Sequence, residues 1–270
     1  MLVPLLILTT GGMCFALASC PLTKMPWQFV RLICVIALAT ATTAAVWLVH
    51  QHVQGTPQQS LPVDVAIIAS ALLALTALSM SPLLHSRRYK VSGLVRSLLG
   101  LCGAAGLVAG LLWAEPMSMA SAPAPSAAIS HLLGGLLLGS VTVAWLLGHR
   151  YLTASEMSID PLKRASQLLF VALGARWSFL LVMLAVGALA SGVSDSNGAF
   201  STRLASSWMP LSMRIGIGLV LPTVFAYMAW QCVRLRSTQS ATGILFFMSI
   251  LVAVGELTSR YLISSMGSAL

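Results

Sequence analysis

Apolar residues come in eight runs of about 20, and polar residues fall mostly between them. The runs cover roughly 2–19, 28–49, 64–84, 93–114, 128–148, 166–191, 208–232 and 241–264. A helix rises 1.5 Å per residue, so a run of this length matches a hydrocarbon core of about 30 Å. The pattern predicts an all-α bundle of eight transmembrane helices, forming one integral membrane domain over residues 1–270. Between the runs, 115–126 reads as a Pro/Ser/Ala loop and 152–164 as a polar surface segment carrying Glu156, Asp160, Lys163 and Arg164. Residues 192–206 read as a Ser/Gly/Asp/Asn loop, and Ser237-Thr238-Gln239-Ser240 as a tight turn. Pro222 predicts a kink in the seventh run, which membrane helices tolerate. Gly100, Gly103, Gly106 and Gly110 in the fourth run predict close packing against another helix backbone.

Composition narrows the class further. Of 270 residues, 58% are hydrophobic and only 8% charged, and mean hydropathy is +0.92. A soluble domain carries about a quarter charged residues. The net charge of +9 does not indicate nucleic-acid binding, because most Lys and Arg flank the apolar runs. There they act as topology signals and touch the headgroups of membrane lipids. One set of connections holds Arg203 as its only basic loop residue. The other side holds Lys24, Arg31, Arg87, Arg88, Lys90, Arg96, Arg150, Lys163, Arg164, Arg234 and Arg236. The positive-inside rule therefore predicts both termini on the periplasmic side of a bacterial-type inner membrane.

Five cysteines (Cys14, Cys20, Cys34, Cys102 and Cys232) show no metal-ligand or disulfide spacing, and a buried free cysteine acts as a small apolar residue. Leu17-Ala18-Ser19-Cys20 has the form of a lipoprotein cleavage box. A signal peptide carries positive charge before its apolar core, whereas here the first basic residue, Lys24, follows it. The favoured reading is an uncleaved first helix.

Arg176, Arg214, Glu256 and Arg260 lie inside apolar runs instead of between them. An ionisable residue in a span is by default a candidate functional site. Counted from opposite surfaces at 1.5 Å per residue, Arg214 and Glu256 come to the same depth, about 8–9 Å below the periplasmic face. Consecutive antiparallel helices touch, so the two are expected to meet. Arg260 follows Glu256 by four residues, on the same helix face, or it snorkels to the interface. Arg176 has no acidic residue on an adjacent turn. Capping carbonyls, contacting lipid and lining the same pocket all stay open for it. The cluster reads either as an ion pair that sets helix register or as a polar pocket for a proton, a quinol headgroup or an anion.

His131 and His149 are eighteen residues, about five turns, apart on one face of the fifth run. His50 and His52 share the predicted periplasmic side with His131, and His85 shares the opposite side with His149. Two bis-histidine haem b sites are conceivable on paper, and interfacial histidines facing water or headgroups are the favoured reading.

Ser212-Met213-Arg214-Ile215 and Gly255-Glu256-Leu257-Thr258-Ser259-Arg260, with His52-Val53-Gln54-Gly55-Thr56-Pro57 after the second run, resemble the dimethyl sulfoxide reductase membrane-anchor family. The family has a histidine followed by Gly and Pro at the latter place, and this chain is one residue longer there. The resemblance implies eight spans with an external N-terminus. It also implies quinol oxidation near the periplasmic face and electron transfer to an iron–sulfur subunit, without haem of the subunit's own.

The leading expectation is thus a quinol-interacting membrane subunit of a redox complex. Glu256 accepts a quinol proton, Arg214 and Arg260 hold it ionised, and His52 or His131 contacts the headgroup. The alternatives are a transporter or permease subunit with helices broken at the midplane, and a structural or assembly subunit whose buried charges only fix packing.

Overall fold

The computed structural model describes residues 2–53, 91–114, 125–153, 157–194 and 208–266. The run at 64–84, His85, and the loop residues 115–124 and 195–206 lie outside the described residues. The described chain is helical. In order it forms α1 (Leu2–Ser19), a short 3₁₀ turn (Leu22–Lys24), α2 (Trp27–Val53), α3 (Val91–Ala114), α4 (Pro125–Thr153) and α5 (Asp160–Ser194). Then come α6 (Trp208–Ile215), a π turn (Gly216–Val220), α7 (Leu221–Arg234) and α8 (Thr238–Met266). Among the described residues, five segments are long and apolar enough to cross a membrane: Trp27–Ala44, Pro125–Thr153, Asp160–Leu189, Trp208–Arg234 and Thr238–Ser264. The chain is accordingly a multi-pass helical protein of the membrane type.

Burial follows the same logic. Large apolar residues such as Val171, Leu181 and Leu189 of α5 and Phe246, Phe247 and Ile250 of α8 face outward, while Arg176, Arg214 and Glu256 are buried. In water that arrangement would be inside out. In lipid it puts aliphatic surface against hydrocarbon and hides the charges from it.

α4 sits at the centre. It packs against α1 on one side and against α5 and α8 on others, and α1 also contacts α2 and α3. The core between them is built from Leu137, Val141 and Leu147 of α4, Leu17 of α1, Leu162 and Leu169 of α5, and Leu245 and Met248 of α8. α7 closes against α5 and α8, where Trp177 Nε1 donates to Thr223 Oγ1 at 3.0 Å. Phe225 and Phe247 meet edge to face with centroids 5.4 Å apart.

Three local expectations change. The segment around Asp160–Arg164 is the first turn of α5 and not a separate surface piece, because Pro161 suits a helix start and Lys163 N–H already closes on Ile159 O at 3.1 Å. The turn before α8 falls earlier than 237–240. Arg236 takes a left-handed φ of 59°, and Ser237 N–H bonds back to Cys232 O at 2.9 Å, a helix-ending motif. Pro222 does not break its helix. It lacks the N–H that would close on Gly218 O, and the preceding turn widens into π register, with Leu221 N–H donating to Gly216 O.

One end of the bundle is tied together by polar contacts. Lys24 pairs with Asp160, Arg96 Nε donates to Ala18 O at 2.7 Å, and Arg150 Nη2 donates to Gln28 Oε1 at 2.6 Å. Tyr151 Oη donates to Ser158 O. Cys20 is fully buried there, its N–H on Leu17 O.

Candidate functional site

The buried charges converge some 20 residues along α4 from Arg150, about 30 Å away by helix rise. At the centre is Glu256, in the last third of α8. Its Oε2 accepts from Arg176 Nη2 at 2.9 Å, and Oε1 lies 3.4 Å from Arg214 Nη1. Arg176, from α5, is only 1% exposed and Glu256 3%. Arg176 also reaches α4: Nη1 donates to Ser130 O and Ser130 Oγ, both at 2.8 Å, and Nη2 donates to Ser259 Oγ at 3.0 Å. One guanidinium therefore clamps α4 and α8, in the planar multi-donor geometry that lysine does not reproduce.

Local structure explains the meeting. Gly134 of α4 leaves the space that Oε2 occupies: a Cβ there would lie 2.1 Å from that oxygen. On the other side, Gly218 of the π turn crosses Gly255 of α8 so closely that a Cβ on Gly255 would sit 2.3 Å from Gly218 Cα. Arg214 is one turn before Gly218 and Glu256 follows Gly255. The glycine crossing thus sets the arginine beside the carboxylate.

Arg214 meets Glu256, as the matched depths anticipate. Of the three roles left open for Arg176, the structure shows it lining the same pocket, as the carboxylate's hydrogen-bonded partner. Arg260 is buried, but no ion pair within 4 Å joins it to Glu256 among the described residues. The i, i+4 pairing is not formed, and snorkelling is excluded by burial. His131 is buried beside Ser130, within electrostatic reach of Arg260, Arg176 and Glu256. Ser130, Ser259 and Gly134 were not anticipated. Ser259 lies inside the 255–260 stretch without a charge to mark it, and Ser130 and Gly134 are uncharged small residues near the start of α4.

His50 and His149 lie elsewhere, and His85 is outside the described residues. His149 is exposed near the end of α4, and His50 is exposed on α2 with its ring centroid 6.4 Å from that of Trp47. His52 is in the last turn of α2. Among the described residues, no group of three or more His, Cys, Asp or Glu is arranged to hold a metal ion.

The cluster carries three guanidiniums against one carboxylate, a surplus of positive charge. Several of its atoms have no hydrogen-bond partner among the described residues: Arg176 Nε, Arg214 Nε and Nη1, Glu256 Oε1 and Arg260 Nε. Buried polar atoms are ordinarily satisfied. Here Oε1 and Arg214 Nη1 face each other as an ion pair at 3.4 Å without forming a hydrogen bond.

No protein-family model, no curated protein and no solved structure matches this chain.

Proposed function

We propose that the chain is the quinol-interacting membrane subunit of a redox complex, with eight spans and both termini on the periplasmic side of a bacterial inner membrane. The observation that carries the reading is the buried ion pair of Glu256 Oε1 and Arg214 Nη1, 3.4 Å apart and without hydrogen bonds among the described residues. A quinol hydroxyl satisfies both at once, donating to the carboxylate oxygen and accepting from the guanidinium. Oxidation releases two protons and two electrons from the quinol. Glu256 takes the first proton, passes it to water on the periplasmic side and then takes the second, while Arg176 keeps Oε2 fixed so that Oε1 points at the hydroxyl. The electrons leave to an iron–sulfur partner subunit, as the resemblance of the last two helices to the dimethyl sulfoxide reductase anchors implies. His131, beside the cluster, is the histidine in position to act on the headgroup. His52 keeps that role only by its place at the end of α2.

Glu256→Gln keeps the shape and removes the proton acceptor. Positioned acid–base groups contribute about 10²- to 10⁴-fold, so quinol oxidation by the intact complex is expected to fall by at least about 100-fold. Unchanged turnover sinks the proton-acceptor role. Quinone extraction and an oxidised-minus-reduced spectrum of the purified subunit add an independent readout. Bound quinone without haem bands supports the anchor reading, and paired reduced α-bands would move the assignment to a b-type cytochrome.

One observation favours a second reading, a purely structural network. Gly134 and the Gly218–Gly255 crossing enclose the charges tightly, as a register device requires. That reading predicts no bound quinone, and equal loss of stability from Glu256→Gln and Arg176→Gln.

A further inference from the structure

At the opposite end of the bundle, a cleft of about 290 Å³ opens between the end of α1 and the starts of α3 and α5. Its walls are Ser19, Pro21, Arg96, Asp160, Lys163 and Arg164, with Gln167 one turn further along. The one acid among them is already engaged. Asp160 pairs with Lys24 and accepts from Ser158 Oγ at 3.0 Å. Among the described residues Arg96, Lys163 and Arg164 thus line the cleft against a single carboxylate, Asp160, which Lys24 already pairs. Arg96 is held in place by the bond from its Nε to Ala18 O, which also caps the last turn of α1. The guanidinium has four further N–H donors on its two terminal nitrogens. Lys163 and Arg164 lie in the first turns of a 35-residue helix, whose N-terminal end favours negative charge.

We propose that this cleft binds a phosphate group, presented by an acidic phospholipid headgroup or by a phosphate anion from solution. Three cations from two helices lining one shallow, open cleft, with its carboxylate paired to Lys24, make a phosphate receptor, whereas a topology signal needs only charges spread over loops. Arg234 and Arg236, exposed on the turn between α7 and α8, are of the latter kind and serve as the internal control. The site is independent of the quinol reading, since it shares no residue with the Glu256 cluster.

The test uses the full chain in mild detergent, with native mass spectrometry to count retained phosphatidylglycerol during a titration. Phosphatidylcholine is the zwitterionic control, and inorganic phosphate is titrated in parallel. A basic residue near a membrane surface contributes about 1 kcal/mol to binding acidic lipid. Removing two in Lys163→Gln/Arg164→Gln therefore weakens phosphatidylglycerol binding about thirtyfold. Arg234→Gln/Arg236→Gln leaves it unchanged. Binding of phosphatidylglycerol but not inorganic phosphate, lost in the first variant alone, assigns a lipid headgroup. Binding of both, lost together, assigns a phosphate from solution. The proposal is overturned if the Lys163/Arg164 variant binds like the parent, if both variants lose equally, or if phosphatidylcholine binds as tightly.

Discussion

α4 presents two adjacent glycines to two different neighbours. Gly135 turns to α1, where a Cβ would meet Leu8 O at 2.9 Å, and nothing but backbone and aliphatic carbon fills the gap. Gly134 turns to α8, where a Cβ would meet the Glu256 carboxylate. The same residue type, one position apart, supports a dry seam on one side and a charged junction on the other. The seam runs on through Gly139 and Gly12, where an added Cβ would lie 2.3 Å from Gly12 C or 2.0 Å from Gly135 O. Close backbone approach through small residues is a usual way for helices to associate in lipid, where apolar side chains gain nothing by leaving it. The charged junction is held by a carboxylate and guanidiniums that lipid cannot solvate. A small residue in a membrane helix therefore marks either a backbone contact or the space a buried polar group occupies, and only the facing helix tells which.

The comparison breaks most visibly at Arg176. Arg176→Ala leaves Glu256, Ser130 and Ser259 without their shared donor, and removing one partner of a buried pair costs about 3–5 kcal/mol. Unfolding in detergent should register a loss of that size, with quinol turnover lost as well. Arg176→Lys should recover only part of it, because an ammonium cannot span Ser130, Ser259 and Glu256 together. A full recovery would show that charge alone matters and that the clamp geometry does not.

That arginine also shows where the sequence was legible and where it was not. Glu256 and Arg214 are on neighbouring helices, and counting residues from each surface suffices to pair them. Arg176 has no acidic residue on an adjacent turn, so its role is decided only by the packing that brings Ser130, Glu256 and Ser259 to it. Ser130 and Gly134 carry no charge and stand out in no hydropathy pattern, so the geometry of α4 against α8 was needed to reveal them. The π turn has a local cause in Pro222, but its effect, bringing Gly218 onto Gly255, is a matter of packing between helices. The glycine spacing in α3 was half informative. Gly103 does pack on the backbone of α1 near Gly11 and Phe15, while Gly100 faces open space.

The two α4 glycines sharpen the comparison at the next level. Overpacking a close contact costs about 1–3 kcal/mol, so Gly135→Ala and Gly134→Ala should lower stability by similar amounts. They should differ in function. Gly135→Ala pushes on α1 and should leave quinol turnover within about twofold once folded protein is counted. Gly134→Ala drives Oε2 from its place and should lower turnover at least about tenfold, since misplacement near 1 Å can cost as much as 100-fold. Equal turnover in both would mean that the carboxylate's position is not used in the reaction.

The smallest effect is expected at Gly100, which lies on the same helix as Gly103 but has, among the described residues, nothing within 4 Å of an added Cβ. Alanine there fills no occupied space and removes backbone freedom from the unfolded chain. Mid-helix glycine is disfavoured against alanine by about 0.5–1 kcal/mol, so Gly100→Ala should stabilise the chain by up to that amount. Gly103→Ala, against the backbone of Phe15 at 2.8 Å, should destabilise it. Opposite signs from two glycines one turn apart, measured side by side by thermal unfolding, would establish that α3 meets α1 along a single stripe. The same sign at both positions would mean that α3 is rotated from the packing described, and that Gly100 carries a contact of its own.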